Sequence, residues 1–207
     1  GEGGALITNN KKYYTNADHY SDHGHDHVGK DRGAESHPFL GYNFRISELN
    51  AAVGCAQIER LDEFIAIQKK NYTVLKKGIE TINGITFRRV PTGGEENYSF
   101  LSFFLPSKEV AKKVHSALGD GGIDACFYWF DNNWHYYKKW SHLTELKSLG
   151  KLPNEVSERL PDYTKSDFSK SDHWMGRTIS VLVKLSWSEE EVSERAEKMK
   201  SIISKVL

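Results

Sequence analysis

Cysteine, methionine and proline are all scarce in this chain of 207 residues, which has two cysteines, two methionines and five prolines. The cysteines, Cys55 and Cys126, are far apart and show no CxxC or metal-ligand spacing, so a disulfide framework is not expected. They fall in a predicted helix and a predicted strand, which is typical of buried thiols in a reducing compartment. This pattern predicts a cytoplasmic protein.

Net charge and long apolar runs are also missing. The 28 basic residues balance the 28 acidic residues, so nothing indicates nucleic acid or an acidic membrane surface as a partner. No apolar run approaches the roughly 18 residues needed to cross a bilayer, so we expect a soluble protein. The chain starts at Gly1 without an initiator methionine or a signal-peptide pattern, which predicts the middle of a longer protein.

The segment 41–52 joins a polar, histidine-rich stretch to the strongest helical pattern in the chain. Ser47 is a favourable helix N-cap, and Asn43 and Arg45 come just before it. Because backbone N–H groups at a helix start are unpaired, this junction favours an anion such as a phosphate or a carboxylate. An ordinary loop-to-helix junction is the alternative.

Apolar positions after this start recur at alternating spacings of three and four residues. They predict one long amphipathic helix that ends near Asn83-Gly84 and bridges two lobes. The positions of this seam are Ile58, Leu61, Ile65, Gln68, Tyr72, Leu75 and Ile79.

The remaining sequence predicts a lobe with the order β-β-α-β-insert-β-α, in which helices cover one face of a sheet. Ser107 is the predicted cap of the first helix, and Ser188 with Glu191 forms a predicted capping box for the last helix. The predicted strands are 85–90, 98–105, 123–129 and 177–185. The predicted organisation is therefore the end of one domain at 1–57, a bridging helix at 58–84 and an α+β domain at 85–207.

The N-terminal 40 residues are predicted to hold a short strand at 5–8 and then a loop at 13–40. Its part 18–27 combines four histidines with three aspartates, a composition that suits a metal site. However, the spacing of His23, His25 and His27 is typical of an exposed extended segment, so we favour a solvated or substrate-facing loop without a metal.

The insert 130–174 is rich in tryptophan, tyrosine, lysine and histidine. Its densest part, 131–137, reads DNNWHYY. Aromatic faces with polar edges suit the binding of a sugar, but the same residues suit an aromatic mini-core that anchors the insert. The sequence leaves both interpretations open.

Three segments resemble the DegT/DnrJ/EryC1/StrS family of sugar aminotransferases. Residues 1–8, GEGGALIT, resemble the segment after the Schiff-base lysine of that family, and His23-Gly24 resembles its HG step. Residues 41–52, GYNFRISELNAA, together with 57–61, QIERL, are similar to its GYN-R-ELQAA…QLERL signature. This last similarity is long and specific.

The resemblance implies an α/β chain of the fold-type I, aspartate aminotransferase-like architecture. The chain would contain the end of the large domain and the small α+β C-terminal domain. It also implies a homodimer with a shared active site that uses pyridoxal 5'-phosphate and cycles through pyridoxamine 5'-phosphate. Asn43 would reach across to the cofactor phosphate that the other subunit mainly binds, and Arg45 would lie beside it, near the cofactor or the sugar substrate. The Schiff-base lysine would precede Gly1, so no catalytic residue is expected within this chain.

Residues 29–40 and 181–187 look like the subgroup that aminates 8-oxo-3,8-dideoxy-octulosonate to 8-amino-Kdo for lipopolysaccharide, with glutamate as donor. In place of the His-Tyr-Pro run of nucleotide-sugar members, this chain has 127–130, FYWF. The predicted substrate contacts are Arg45, His37 and Tyr128, and Lys30 and Arg32 are further cations for an acidic sugar.

Other activities remain open at this point. A nucleotide-linked keto-sugar is an alternative acceptor. A deoxysugar 3-dehydratase is expected instead if histidine replaces the upstream lysine. A sugar-sensing regulatory protein is the non-enzymatic alternative.

Overall fold

A computed structural model describes residues 3–207 of the chain, which separate into two units between Asp62 and Glu63. The first unit contains α1 (Lys11–Ser21), a 3₁₀ turn (Arg32–Ala34) and α2 (Glu48–Ile58). Helix α3 (Leu61–Ile79) begins at the boundary. The second unit continues with β1 (Thr86–Phe87), β2 (Phe100–Phe104), α4 (Lys108–Asp120), β3 (Cys126–Phe127), α5 (Ser141–Thr144), α6 (Asn154–Ser157), α7 (Ser169–Arg177), β4 (Thr178–Leu182) and α8 (Glu189–Val206).

Helix α1 extends into the loop predicted at 13–40, so that prediction is wrong for residues 13–21. The Asn10 side chain caps the helix by accepting from the backbone N–H groups of Lys12 and Tyr13. Because α1 buries no residue, it has no apolar period from which a helix is recognised. The strand predicted at 5–8 is absent as well, since these residues pair with no other strand of the described chain.

The single bridging helix predicted after Ser47 is two helices. Ser47 caps α2 as expected, since its Oγ accepts from Asn50 N at 3.2 Å. The chain then turns at Glu59 and Arg60 before α3 begins. The apolar seam continues in phase across this turn, so the periodicity does not reveal the interruption. Within the described chain, no helix combines the length and apolar character that crossing a bilayer requires.

The second unit is built on an antiparallel sheet with the strand order β1-β2-β4-β3. Strands β2 and β4 pair along their whole length, from Phe100 opposite Leu182 to Phe104 opposite Thr178. Leu101 and Phe103 of β2 and Ile179 and Val181 of β4 are fully buried. Helices α4 and α8 contribute further core residues, namely Ala111, Val114, Leu118, Val192, Ala196, Met199 and Ile203.

The predicted order of elements in this unit is confirmed, although the strands are shorter than expected. Both predicted caps are present, since Ser107 accepts from Val110 N and Ser188 forms a capping box with Glu191. Pro91 and Pro106 lie just beyond the first two predicted strands, and the sheet ends before both of them.

The insert contains a packed aromatic cluster and an exposed aromatic edge. Tyr136 is buried, stacks on Phe130 at a centroid distance of 4.7 Å and donates from its hydroxyl to Asp172 at 2.9 Å. Trp134 is 63% exposed. The anchoring role therefore fits Tyr136, whereas Trp134 retains an aromatic face open to solvent.

Two leucines of the second unit provide a matched test of its core. Leu101→Ala removes a fully buried side chain from β2, whereas Leu149→Ala truncates a fully exposed one. We expect Leu101→Ala to lower the free energy of unfolding by about 2–5 kcal/mol and Leu149→Ala to change it by less than about 0.5 kcal/mol. Urea unfolding of both variants measures the difference, and equal effects would contradict the described core.

Candidate functional site

The C-terminal end of α1 is tied to residues 42–44 by backbone hydrogen bonds. His23 N donates to Tyr42 O, and Phe44 N donates to Ser21 O, both at 2.9 Å. Between these bonds, Asp22 and Asn43 form an isolated antiparallel bridge. Residues that are 21 positions apart in the sequence are therefore fixed next to each other.

Two glycines allow this close approach. A Cβ atom on Gly41 would lie 2.7 Å from the carbonyl carbon of His23 and would clash with the backbone nitrogen of Gly24. Gly24 itself has a φ of +88°, and a Cβ there would clash with the carbonyl oxygen of Phe39. The HG and GYN motifs thus meet in one backbone junction that side chains larger than hydrogen would disrupt.

The Asp22 carboxylate is the centre of the polar contacts at this junction, and its side chain is only 8% exposed. Arg32 Nη2 donates to both of its oxygens at 2.6 Å. Arg45 Nη1 lies 3.2 Å from Oδ1, and His27 Nε2 lies 3.2 Å from Oδ2. A buried carboxylate requires such partners, because its desolvation is costly when it is unpaired.

These contacts set the ionisation of the cluster. Burial alone would raise the pKa of Asp22, but hydrogen bonds from Arg32 and His27 and the charge of Arg45 lower it below its ordinary value. The carboxylates of Asp18 and Asp22 flank the His27 ring and raise its pKa. Asp22 therefore stays ionised at neutral pH, in contact with two guanidinium groups and the His27 ring.

Asn43 and Arg45 form a second, exposed layer of the junction. Asn43 Oδ1 accepts from Arg45 Nε at 3.0 Å and from Arg45 N at 3.4 Å. Because both of these Arg45 nitrogens are donors, the amide oxygen of Asn43 must face Arg45, and the Nδ2 group of Asn43 faces away from it. This Nδ2 donates to no other residue within 3–207. An exposed amide donor beside a guanidinium group is suited to an anion.

The histidine-rich segment is folded and is not the extended stretch that its spacing predicts. His23 and His27 adopt positive φ angles of 58° and 55°, which turn the chain around Asp22. His25 Nδ1 pairs with Glu35 Oε2 at 2.9 Å, and its ring packs on that of His37 at 4.2 Å. Within residues 3–207, no group of three or more His, Cys, Asp or Glu side chains is arranged to hold a metal ion.

The structure brings three of the four predicted site residues into the first unit. Asn43 and Arg45 are in contact, and exposed His37 lies on the neighbouring loop against His25. Tyr128 belongs to the second unit, where it is buried and donates from its hydroxyl to Gly176 O at 2.8 Å. Burial raises the pKa of Tyr128 to about 12. Its contact with substrate stays a prediction.

Asp22 is the functional candidate that the sequence does not single out. It stands among three aspartates of one segment, where it is noticed only as one possible metal ligand. Its position immediately before the His23-Gly24 step is the signal that distinguishes it from the others. Only the fold shows that this aspartate, and not its neighbours, meets Arg45.

Comparison with known proteins decides the family. The model of the DegT/DnrJ/EryC1/StrS aminotransferase family matches residues 1–200. The chain belongs to this family.

The chain is similar in part to two curated members of the family. It is 33% identical over 124 residues to GDP-perosamine synthase of Escherichia coli O157:H7, which covers 60% of the chain and 32% of that protein. It is 36% identical over 73 residues to lipopolysaccharide biosynthesis protein RfbH of Salmonella typhimurium, covering 35% of the chain and 16% of that protein. The chain thus spans about a third or less of the length of these curated relatives.

A solved structure confirms the predicted fold class. The aminotransferase from Psychrobacter cryohalolentis has a similar structure, with a TM-score of 0.70 and 15% sequence identity. The match covers 96% of the present chain and 51% of the Psychrobacter chain. The chain therefore has the α/β architecture of fold-type I, and it spans about half of that solved chain.

The His27 contacts predict a pH-dependent stability. Because the folded pKa of His27 lies above its ordinary value of 6.5, the stabilisation is complete below pH 6.5 and is lost as the pH rises through the folded pKa. We expect the free energy of unfolding of the unaltered protein to fall more steeply above about pH 6.5 than that of His27→Gln.

Urea unfolding at several pH values measures this difference. Asp18→Asn, which removes the partner of Nδ1, should lower the His27 pKa in an NMR titration. Identical pH profiles for the unaltered protein and His27→Gln would refute the pairing.

Proposed function

We propose that the complete protein containing this chain is a pyridoxal-phosphate-dependent aminotransferase that transfers an amino group from glutamate to an oxo-sugar. The observation that carries the proposal is the arrangement of Asn43 and Arg45 on Asp22 in a chain of an aminotransferase family. The domain boundaries expected from the sequence, 1–57, 58–84 and 85–207, belong to the same proposal.

The described residues fit the phosphate of this cofactor. Asn43 Nδ2 has no partner within 3–207, and its amide is oriented by Arg45. We assign Asn43 to donate to a phosphate oxygen and Arg45 to supply positive charge beside it. When bound, the cofactor supplies an electron sink for the carbon that loses or gains a proton.

The residue that forms the Schiff base is proposed to lie just before residue 1. No lysine within this chain is assigned that role. A lysine at that upstream position supports the aminotransferase, whereas a histidine there supports a deoxysugar 3-dehydratase. Sequencing the gene upstream of Gly1 distinguishes these two enzymes directly.

For the acceptor, we favour the acidic sugar 8-oxo-3,8-dideoxy-octulosonate, whose product is 8-amino-Kdo for lipopolysaccharide. Arg32 and Arg45 both contact Asp22, and their side chains remain 53% and 45% exposed, so parts of two guanidinium groups are open to an anion. Such a surface suits an anionic substrate. The similarity to GDP-perosamine synthase favours a nucleotide-linked keto-sugar as the second candidate.

A homodimer is part of this proposal. Helix α2 buries none of its residues, and Leu49, Val53 and Ile58 are 81%, 62% and 69% exposed. Exposed apolar side chains of this kind are typical of a surface that another subunit covers. A cytoplasmic location is proposed as well, because Cys55 and Cys126 are both free thiols, as is typical of a reducing compartment.

Absorbance spectroscopy of the purified complete protein tests the activity. We expect a yellow protein whose visible band is lost or shifted when glutamate is added. The same preparation should then aminate 8-oxo-3,8-dideoxy-octulosonate faster than nucleotide-linked keto-sugars. A band that no amino donor changes would contradict the aminotransferase. Faster amination of nucleotide keto-sugars would move the acceptor to the second candidate.

A further inference from the structure

Asp22 connects the elements of the junction by both its backbone and its side chain. Its backbone bridges Asn43, and its buried carboxylate contacts Arg32, Arg45 and His27. Arg45 in turn holds the Asn43 amide oxygen. The chain of contacts therefore runs from a buried carboxylate, through one guanidinium group, to the exposed amide donor.

Arg45 on its own would be a poorly defined anchor. Its side chain is 45% exposed, and an arginine has many rotamers when it is unrestrained. Three groups contact it, namely Asp22 at Nη1, Asn43 Oδ1 at Nε, and His23, whose Nε2 lies 3.4 Å from Nη2. Asp22 is the charged partner and is buried, so it defines the position of the guanidinium group more strongly.

We propose that Asp22 is a positioning residue, which acts through Arg45 to direct the Asn43 amide toward the cofactor phosphate. This inference rests on the proposed cofactor site. Asp22 itself does not contact the phosphate, because its oxygens are occupied by Arg32, Arg45 and His27. Its role is to hold the groups that do.

A simple electrostatic role for Asp22 predicts the opposite effect. If the carboxylate only neutralised positive charge, its removal would make the site more positive and tighten the binding of an anion. If it positions Arg45, its removal releases the guanidinium group and weakens the binding. The sign of the change therefore distinguishes the two roles.

The test compares two ligands that differ by the phosphate group. Dissociation constants of pyridoxal 5'-phosphate and of pyridoxal are measured for the complete protein, and their ratio isolates the phosphate contacts. In Asp22→Asn we expect the preference for pyridoxal 5'-phosphate to fall about tenfold, the factor for about one charge-assisted hydrogen bond, with pyridoxal affinity unchanged. A purely structural role would weaken both ligands alike.

Asp18→Asn is the matched control. Asp18 is one helical turn before Asp22 and contacts His27, but it contacts neither arginine. Its substitution should leave the ratio unchanged. A double-mutant cycle tests whether Asp22 acts through Arg45. In a protein that already carries Arg45→Gln, Asp22→Asn should have little further effect on the ratio of the two dissociation constants.

Asp22→Glu keeps the charge and lengthens the side chain, so it serves as the second variant if Asp22→Asn does not fold. It should also reduce the ratio, because the displaced carboxylate moves Arg45. An unchanged or increased ratio in either Asp22 variant overturns the inference. If the unaltered protein binds no pyridoxal 5'-phosphate, the proposed function itself fails, which is a different result from an unchanged ratio.

Discussion

The first unit depends on one buried carboxylate and the positive groups that surround it. Asp22 is 8% exposed and contacts Arg32, Arg45 and His27. Each of these partners comes from a different part of the segment between α1 and α2. A single ionised side chain therefore holds this segment together, although the segment has little apolar core. The free-energy cost of burying the Asp22 carboxylate is offset by several strong hydrogen bonds, and these hydrogen bonds also order the polar loop.

The second unit is stabilised in a different way. Its β2–β4 pair and the helices α4 and α8 enclose a core of aliphatic and aromatic side chains, including the fully buried Phe103 and Met199. This unit thus depends on apolar burial, whereas the junction of the first unit depends on electrostatics. The candidate site lies in the part of the chain with the weaker core, where polar groups remain available for a ligand.

Helices and strands are predicted well from the sequence where one face is buried, because apolar residues then recur at a regular spacing. They are predicted poorly where no face is buried. The order of elements in the second unit and the caps Ser47, Ser107 and Ser188 are confirmed. Helix α1 was not predicted, because none of its residues is buried. In the site, motif similarity points to Asn43 and Arg45, but the role of Asp22 depends on contacts across 23 residues. Local patterns do not contain such contacts.

The proposed contact between Asn43 and the phosphate of pyridoxal 5'-phosphate is the one on which the proposed function and the role of Asp22 both depend. Its most direct test is the dissociation constant of this cofactor for Asn43→Ala in the complete protein, beside Asn9→Ala, which truncates an exposed asparagine of the same unit. We expect binding of the cofactor to weaken by about tenfold in Asn43→Ala, with the oligomeric state intact, and to stay unchanged in Asn9→Ala. Equal affinity for the unaltered protein and Asn43→Ala would contradict it.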